Sequence, residues 1–247
     1  MADTTVTSAP LELHDPEHRH RDIRGGSARA AVFGISDGLV SNASLVLGVD
    51  GAHPAAAVVR LAGLAGLLGG ALSMAAGEYV SMRAQAELFE RELDVERAEI
   101  HRHPDGERRE LARIYERRGI APDVAGGLAA QMMVTPERAL ETHAREELGI
   151  DQDQLGSPLA AALASFTSFA LGAFVPLLAF LVLTGNTATL LAVGLSEAAA
   201  AAVGSTLALF TGRSWLMSGA RQLVLCSAAA AVTYGVGVAV GHGGGIS

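Results

Sequence analysis

Lysine is missing from this chain: all eighteen basic residues are arginine. Cysteine is nearly missing, and the single Cys226 excludes an intramolecular disulfide or a thiolate metal cluster. A metal held here must use oxygen, imidazole or thioether donors. Aromatic residues make up only 4% of the chain although half of it is hydrophobic and Ala and Gly are abundant. That balance is unlike a soluble core, where Phe and Tyr supply much of the buried area. Positive charge is also scarce: the formal net charge is −8, which argues against nucleic-acid binding. There is no HExxH sequence and no Ser or Cys nucleophile with a partner base, so no catalytic residue is assigned and the chain does not read as an enzyme.

What the sequence does contain is long apolar runs. Five reach spanning length: Ala28–Val49, Ala55–Met82, Pro158–Leu183, Thr187–Phe210 and Gly219–Val240. Each is near or above the ~20 residues that a helix needs to cross the hydrocarbon. Alternating ~10-residue segments of the barrel kind are absent. The expected fold is all-α, a polytopic membrane protein with five transmembrane helices and a helical domain inserted between helices two and three. Its parts are a leader (1–27), helices one and two (28–82), the insert (83–153) and helices three to five (158–241).

The leader, "ELHDPEHRHRD", is acidic and His-rich and does not read as a signal peptide. His14, His18 and His20 there are either a metal-capturing tail or a solvated segment. Arginines cluster before helix one, in the insert and between helices four and five, while "DGAHP", "TGNT" and the tail after Val240 have none. The positive-inside rule then places the N-terminus, insert and last loop in the cytoplasm and the C-terminus outside. The Arg-only basic set, with much Ala and Gly, points to a GC-rich bacterial genome and so to a bacterial cell membrane.

From Arg83 to Asp153 the composition turns polar, with seventeen acids against eleven arginines. Breakers at "RHPDGE", "GIAPD" and "VTPER" divide it into short helices, the last opened by Thr135 as N-cap with Pro136 at the first helical position. Nothing between Gly77 and His103 stops a helix, so the second span is expected to run on to about His101. On it Glu92, Glu96, Glu99 and His103 form one stripe at i, i+4, i+7 and i+11. Glu107 and Glu110 share a face of the next helix, and "THAREELG" sets His143 and Glu147 at i, i+4. Solvated acid stripes are the ordinary meaning of such patterns. Three helices that converge their carboxylates and an imidazole would instead hold a metal, with Fe2+ and Mn2+ suited to the donors and Zn2+ a further candidate.

Inside the spans, "GISDGLVSNASLVLG" carries Asp37, although a charge at mid-bilayer costs at least ~2.5–3.5 kcal/mol on insertion scales and so marks a pathway or a partner. Asp37, Ser41, Ser44 and Gly48 form one stripe. In "GLAGLLGGALSMAAGEYVS" of helix two, Gly66, Gly70, Met74 and Glu78 form another, beginning with small residues that allow close helix approach. If the stripes face each other, or their symmetry mates, they line a carboxylate-and-thioether lane with Asp37, Met74 and Glu78 on it. Glu197 on helix four is a second buried acid, with structural and proton-relay roles both open.

The stretches "VFGISDGLVSNASLVLGVDGA", "SMAAGEYVSMRAQAE", "HAREELG" and "ALGAFVPLLAFLV" resemble the vacuolar iron transporter family over about Arg21 to Gly241. The resemblance implies a homodimer of five-helix subunits in membrane lipid, which moves Fe2+ or Mn2+ out of the cytosol in exchange for protons. It implies no prosthetic group; the metal is substrate. By position it puts the path on Asp37 and Met74, and the metal ligands of the insert on Glu96, Glu99, Glu107, Glu110 and Glu147. Where plant members carry a Met pair this chain has His143 and Ala144, with Met132 and Met133 one helix too early to replace it, and a helix-two carboxylate of those members falls on Gly66. The expected function is therefore proton-coupled export of divalent metal. Its rival is a membrane-anchored metal store or sensor through which nothing crosses.

Overall fold

The computed structural model describes residues 26–149 and 156–243, so the leader's His14, His18 and His20 lie outside the described residues. The chain forms α1 (Gly26–Asp50), α2 (Ala56–Arg102), α3 (Pro104–Arg117), α4 (Pro122–Met132), α5 (Pro136–Glu146), α6 (Pro158–Val182), α7 (Gly185–Thr211) and α8 (Trp215–Gly243). No strand occurs among the described residues. Five of these helices, α1, α2, α6, α7 and α8, are long and apolar enough to cross a membrane. The last begins earlier than the apolar run indicated, at Trp215.

The first span is central: α1 packs against α2, α6, α7 and α8. Its tightest neighbour is α6, where the backbones meet without side chains between them. A Cβ on Gly38 would lie 2.1 Å from the Phe169 carbonyl oxygen, and one on Gly172 would lie 2.0 Å from that of Ile35. Glycine at both positions is a condition of this packing, as small residues commonly are between helices in lipid. Near the α1–α2 turn Val46, Leu47, Val59 and Phe180 close the core with Ala179, Ala188 and Ala192.

Arg60, inside the second apolar run, is accommodated by donating from Nε to the Phe180 carbonyl oxygen at 2.7 Å. Phe180 lies in the last turn of α6, whose carbonyls have no partner within the helix, so the guanidinium satisfies one and sits at the negative end of the helix dipole.

Helix α2 is unbroken for 47 residues, about 70 Å at 1.5 Å per residue. Its second half forms part of the insert, as the lack of breakers before His103 predicts. The α3–α4 hairpin has a core of its own, with Leu111, Tyr115, Ala125 and Ala129 buried and Met132 and Met133 packed against it. The start of α5 is as expected: Thr135 Oγ1 accepts the Arg138 N–H at 3.3 Å, and Pro136 occupies the first turn.

Candidate metal path and carboxylate cluster

Two groups of polar residues share α2. The first is a cleft of about 350 Å³ between α1, α2 and α6, lined by Asp37, Ser41, Asn42, Gly66, Gly70 and Met74, with Leu45, Ser73 and Phe169. The stripes on α1 and α2 thus meet on one seam. Asp37 is exposed at its mouth, and the Ser41 hydroxyl donates to Asp37 Oδ1 at 3.0 Å. On the far side of α1, Gln222 of α8 donates to the Ser36 hydroxyl and fixes the turn that carries Asp37. Gly70 lets the Phe169 ring of α6 pack against α2 at the cleft, because a Cβ there would lie 2.3 Å from that ring.

Parts of both stripes leave the seam. Ser44 does not line the cleft. Gly48 lies against α8, where its Cβ would come within 3.2 Å of Thr233 Cβ. Helices cross at an angle, so the neighbour covering one face changes along the helix. Glu78, one turn beyond Met74, is also outside the cleft. Asn42 belongs to neither i+4 row and is a cleft residue. Its signal was only that of a polar residue inside a span.

Glu197 lies apart from this seam, between α7 and α8. Ser227 donates to its Oε1 at 2.7 Å, while Oε2 is buried with no partner among the described residues.

The second group lies about 33 Å further along α2, from Met74 to Glu96 at the helical rise. Glu96 of α2, Glu107 of α3, and His143 and Glu147 of α5 each present one ligand atom, and those atoms all lie within 4.8 Å of one another. His143 is fully buried at the centre. Its Nδ1 is 3.0 Å from Glu96 Oε1, 3.2 Å from Glu147 Oε2 and 3.7 Å from Glu107 Oε2. Glu147 is the C-cap of α5, one turn after His143, and its N–H donates to the His143 carbonyl. Glu107 lies one turn before the buried Leu111 and so faces inward.

Burial works against a charged His143, yet the Glu96 and Glu147 carboxylates beside Nδ1 outweigh it and raise the imidazole above its ordinary pKa. Glu107 is also raised, by burial first and then by the Glu96 charge, against the opposing pull of His143. A metal entering this electron-rich pocket would have to displace a proton from it. Ligand atoms about 2.0–2.2 Å from an ion are at most about 4.4 Å apart, so only slight closure would be needed around Mn2+, Fe2+ or Zn2+.

Two of the expected ligands are not among these four. Glu99 is one turn beyond Glu96, pairs with Arg102 and His103, and lines a shallow groove on the outer side of α2 with Glu87 and Asp94. Glu110 is exposed. The four-residue stripe on α2 contributes only Glu96, because α5 crosses α2 at that level. Met132 and Met133 are held in the α3–α4 core.

The sequence pattern of the VIT family matches residues 28–238. A vacuolar iron transporter of Acanthamoeba castellanii is 36% identical over 231 residues, 89% of this chain and 81% of that protein. Vacuolar iron transporter 1 of Oryza sativa subsp. japonica is 31% identical over 92% of this chain and 90% of its own length. From the same plant, vacuolar iron transporter homolog 1 is 37% identical over 93% and 86%. A match that runs from the first span to the last, across the insert as well as the membrane helices, leaves one conclusion: this chain is a member of the VIT family.

Proposed function

We propose that this chain carries a divalent metal, Fe2+ or Mn2+, out of the cytosol across the membrane in exchange for protons. Metal transport is supported by relatives that bear the name vacuolar iron transporter over most of their length. The observation that carries the finer reading is the continuity of α2, which joins the Glu96 cluster at one end to Met74 in the cleft at the other.

In this reading the N-terminus, the insert and the α7–α8 turn face the cytosol and the C-terminus lies outside, in a bacterial cell membrane. The cluster collects the hydrated ion through Glu96, Glu107, His143 and Glu147. The ion then loses most of its water as it reaches Met74 and Asp37. Ionised Asp37, steadied by the Ser41 hydroxyl, attracts the cation, and protonation from the outside weakens that attraction and favours release. Asp37 opens to one side of the subunit, and Leu61, Leu64, Leu68 and Leu72 form an exposed apolar stripe on α2. A homodimer packed along that stripe would enclose the cleft.

The test is flux of Fe2+, Mn2+ and Zn2+ into proteoliposomes under an imposed pH difference. Metal movement that collapses the pH difference supports exchange. The second reading, a membrane-anchored store or sensor, draws on the cluster being built wholly from insert residues; it requires metal binding with no flux in the same vesicles.

A further inference from the structure

We propose that Asn42 supplies a further ligand on the transport path: an uncharged amide oxygen that meets the cation beside Asp37 and Met74 and biases the path toward oxygen-preferring ions such as Mn2+. This rests on the cleft between α1, α2 and α6 being the metal path.

Asn42 is 1% exposed. Its Nδ2 donates to the Ala173 carbonyl oxygen of α6 at 2.6 Å. A carbonyl only accepts, so the amide must turn its NH2 group to α6 and its oxygen the other way. That oxygen, Oδ1, is buried and meets no donor among the described residues. The side chain lines the cleft with Asp37, Ser41 and Met74, and a Cβ on Gly66 would lie 2.7 Å from Oδ1. The oxygen is therefore aimed into the seam over Gly66, where glycine leaves it room.

A buried acceptor without a donor costs about 1–3 kcal/mol. An acceptor kept in that state by a bond on its other side has a natural partner in a passing cation. Amide and carboxylate oxygens are hard donors and the thioether of Met74 is soft. Asn42 shifts this balance toward oxygen and adds no charge. Asp37 is the one anionic group lining the cleft among the described residues, so the ion gains selectivity without being held too tightly to leave.

The experiment measures Mn2+ and Cd2+ flux by the full chain in proteoliposomes. Asn42→Ser keeps a hydroxyl that can donate to Ala173 but removes the carbonyl. It is expected to raise the KM for Mn2+ about tenfold relative to that for Cd2+. Asn42→Asp keeps an oxygen toward the cleft and is expected to lower the KM for Mn2+ relative to that for Cd2+. If Asn42 only braced α1 to α6, both variants would slow the two ions alike, and an unchanged ratio overturns the proposal. Should Asn42→Ser not give monodisperse protein, the ratio for Asn42→Asp decides by the same rule. Asp37→Ala separates the levels: lost flux with an unchanged Asn42 ratio sinks only the Asn42 role, while parental flux in Asp37→Ala sinks the path itself.

Discussion

The imidazole Nδ1 of His143 on α5 lies 3.0 Å from Oε1 of Glu96 on α2. That contact ties the last helix of the insert to the long helix that enters the membrane. His143 Nδ1 also lies 3.2 Å from Glu147 and 3.7 Å from Glu107, so three carboxylates share it as a neighbour, while Glu99 and Glu110 stand outside this group.

Ligand variants should therefore fall into two classes. Glu96→Gln and His143→Ala are each expected to weaken Mn2+ binding by at least the about ten- to hundredfold lost when a ligand's supporting partner is removed. Glu99→Gln and Glu110→Gln should change it by far less. Titration of the full-length protein with Mn2+, followed by electron paramagnetic resonance, measures both. Equal losses at Glu96 and Glu99 would contradict the geometry.

Acidity should act on this pocket in two opposite ways. The folded pKa of His143 is raised, so its proton contributes stability that is complete below the ordinary imidazole value of about 6.5 and is lost as pH rises through the higher folded value. The raised Glu107 has the same sign. Without metal, α5 is expected to be better protected from hydrogen exchange in mild acid, once intrinsic exchange rates are corrected. Metal must displace the proton, so Mn2+ affinity should rise with pH over the same interval and each binding event should release protons to a weak buffer.

In the membrane, Asp37→Ala should abolish metal flux while leaving insertion and monodispersity intact. The residue lies at the mouth of the cleft, and its one intramolecular partner among the described residues is the Ser41 hydroxyl. Ser41→Ala should reduce flux without abolishing it, because the carboxylate remains but is less well fixed. Parental Fe2+ flux in Asp37→Ala proteoliposomes would refute the path assignment.

The α1–α6 contact gives a stability prediction. Gly172→Val places side-chain atoms where the Ile35 carbonyl oxygen lies 2.0 Å from a Cβ. Overpacking costs about 1–3 kcal/mol when side chains can adjust, and backbone cannot yield as easily. A lowered melting temperature or aggregation in detergent is expected. Gly194→Ala, where a Cβ meets nothing within 4 Å, should leave both unchanged.

Much of this molecule could be read from its residues alone. Apolar run length gives the five spans, and the absence of any breaker before His103 gives the long α2. The Thr135–Pro136 pair gives the start of α5. Asp37 and Met74 each stand out in an i+4 row of polar or small residues within an apolar span, and the structure brings both to one cleft. Less visible were Asn42, which has no i+4 partner in its stripe, and the position of Glu99 and Glu110 outside the converging group, since they have the same composition and periodicity as the residues that converge.

By itself the sequence determined what is local: which segments are helical, where they start, and which carry charge into the bilayer. These follow from helix propensity, capping and the cost of apolar surface in water, all of which act over a few turns of chain. Only the tertiary structure decided that Glu96 rather than Glu99 meets His143, that Asn42 turns its oxygen toward Gly66, and that Arg60 closes the end of α6. Such choices depend on the height and angle at which one helix crosses another, and a pattern that repeats along a single helix carries no information about that crossing.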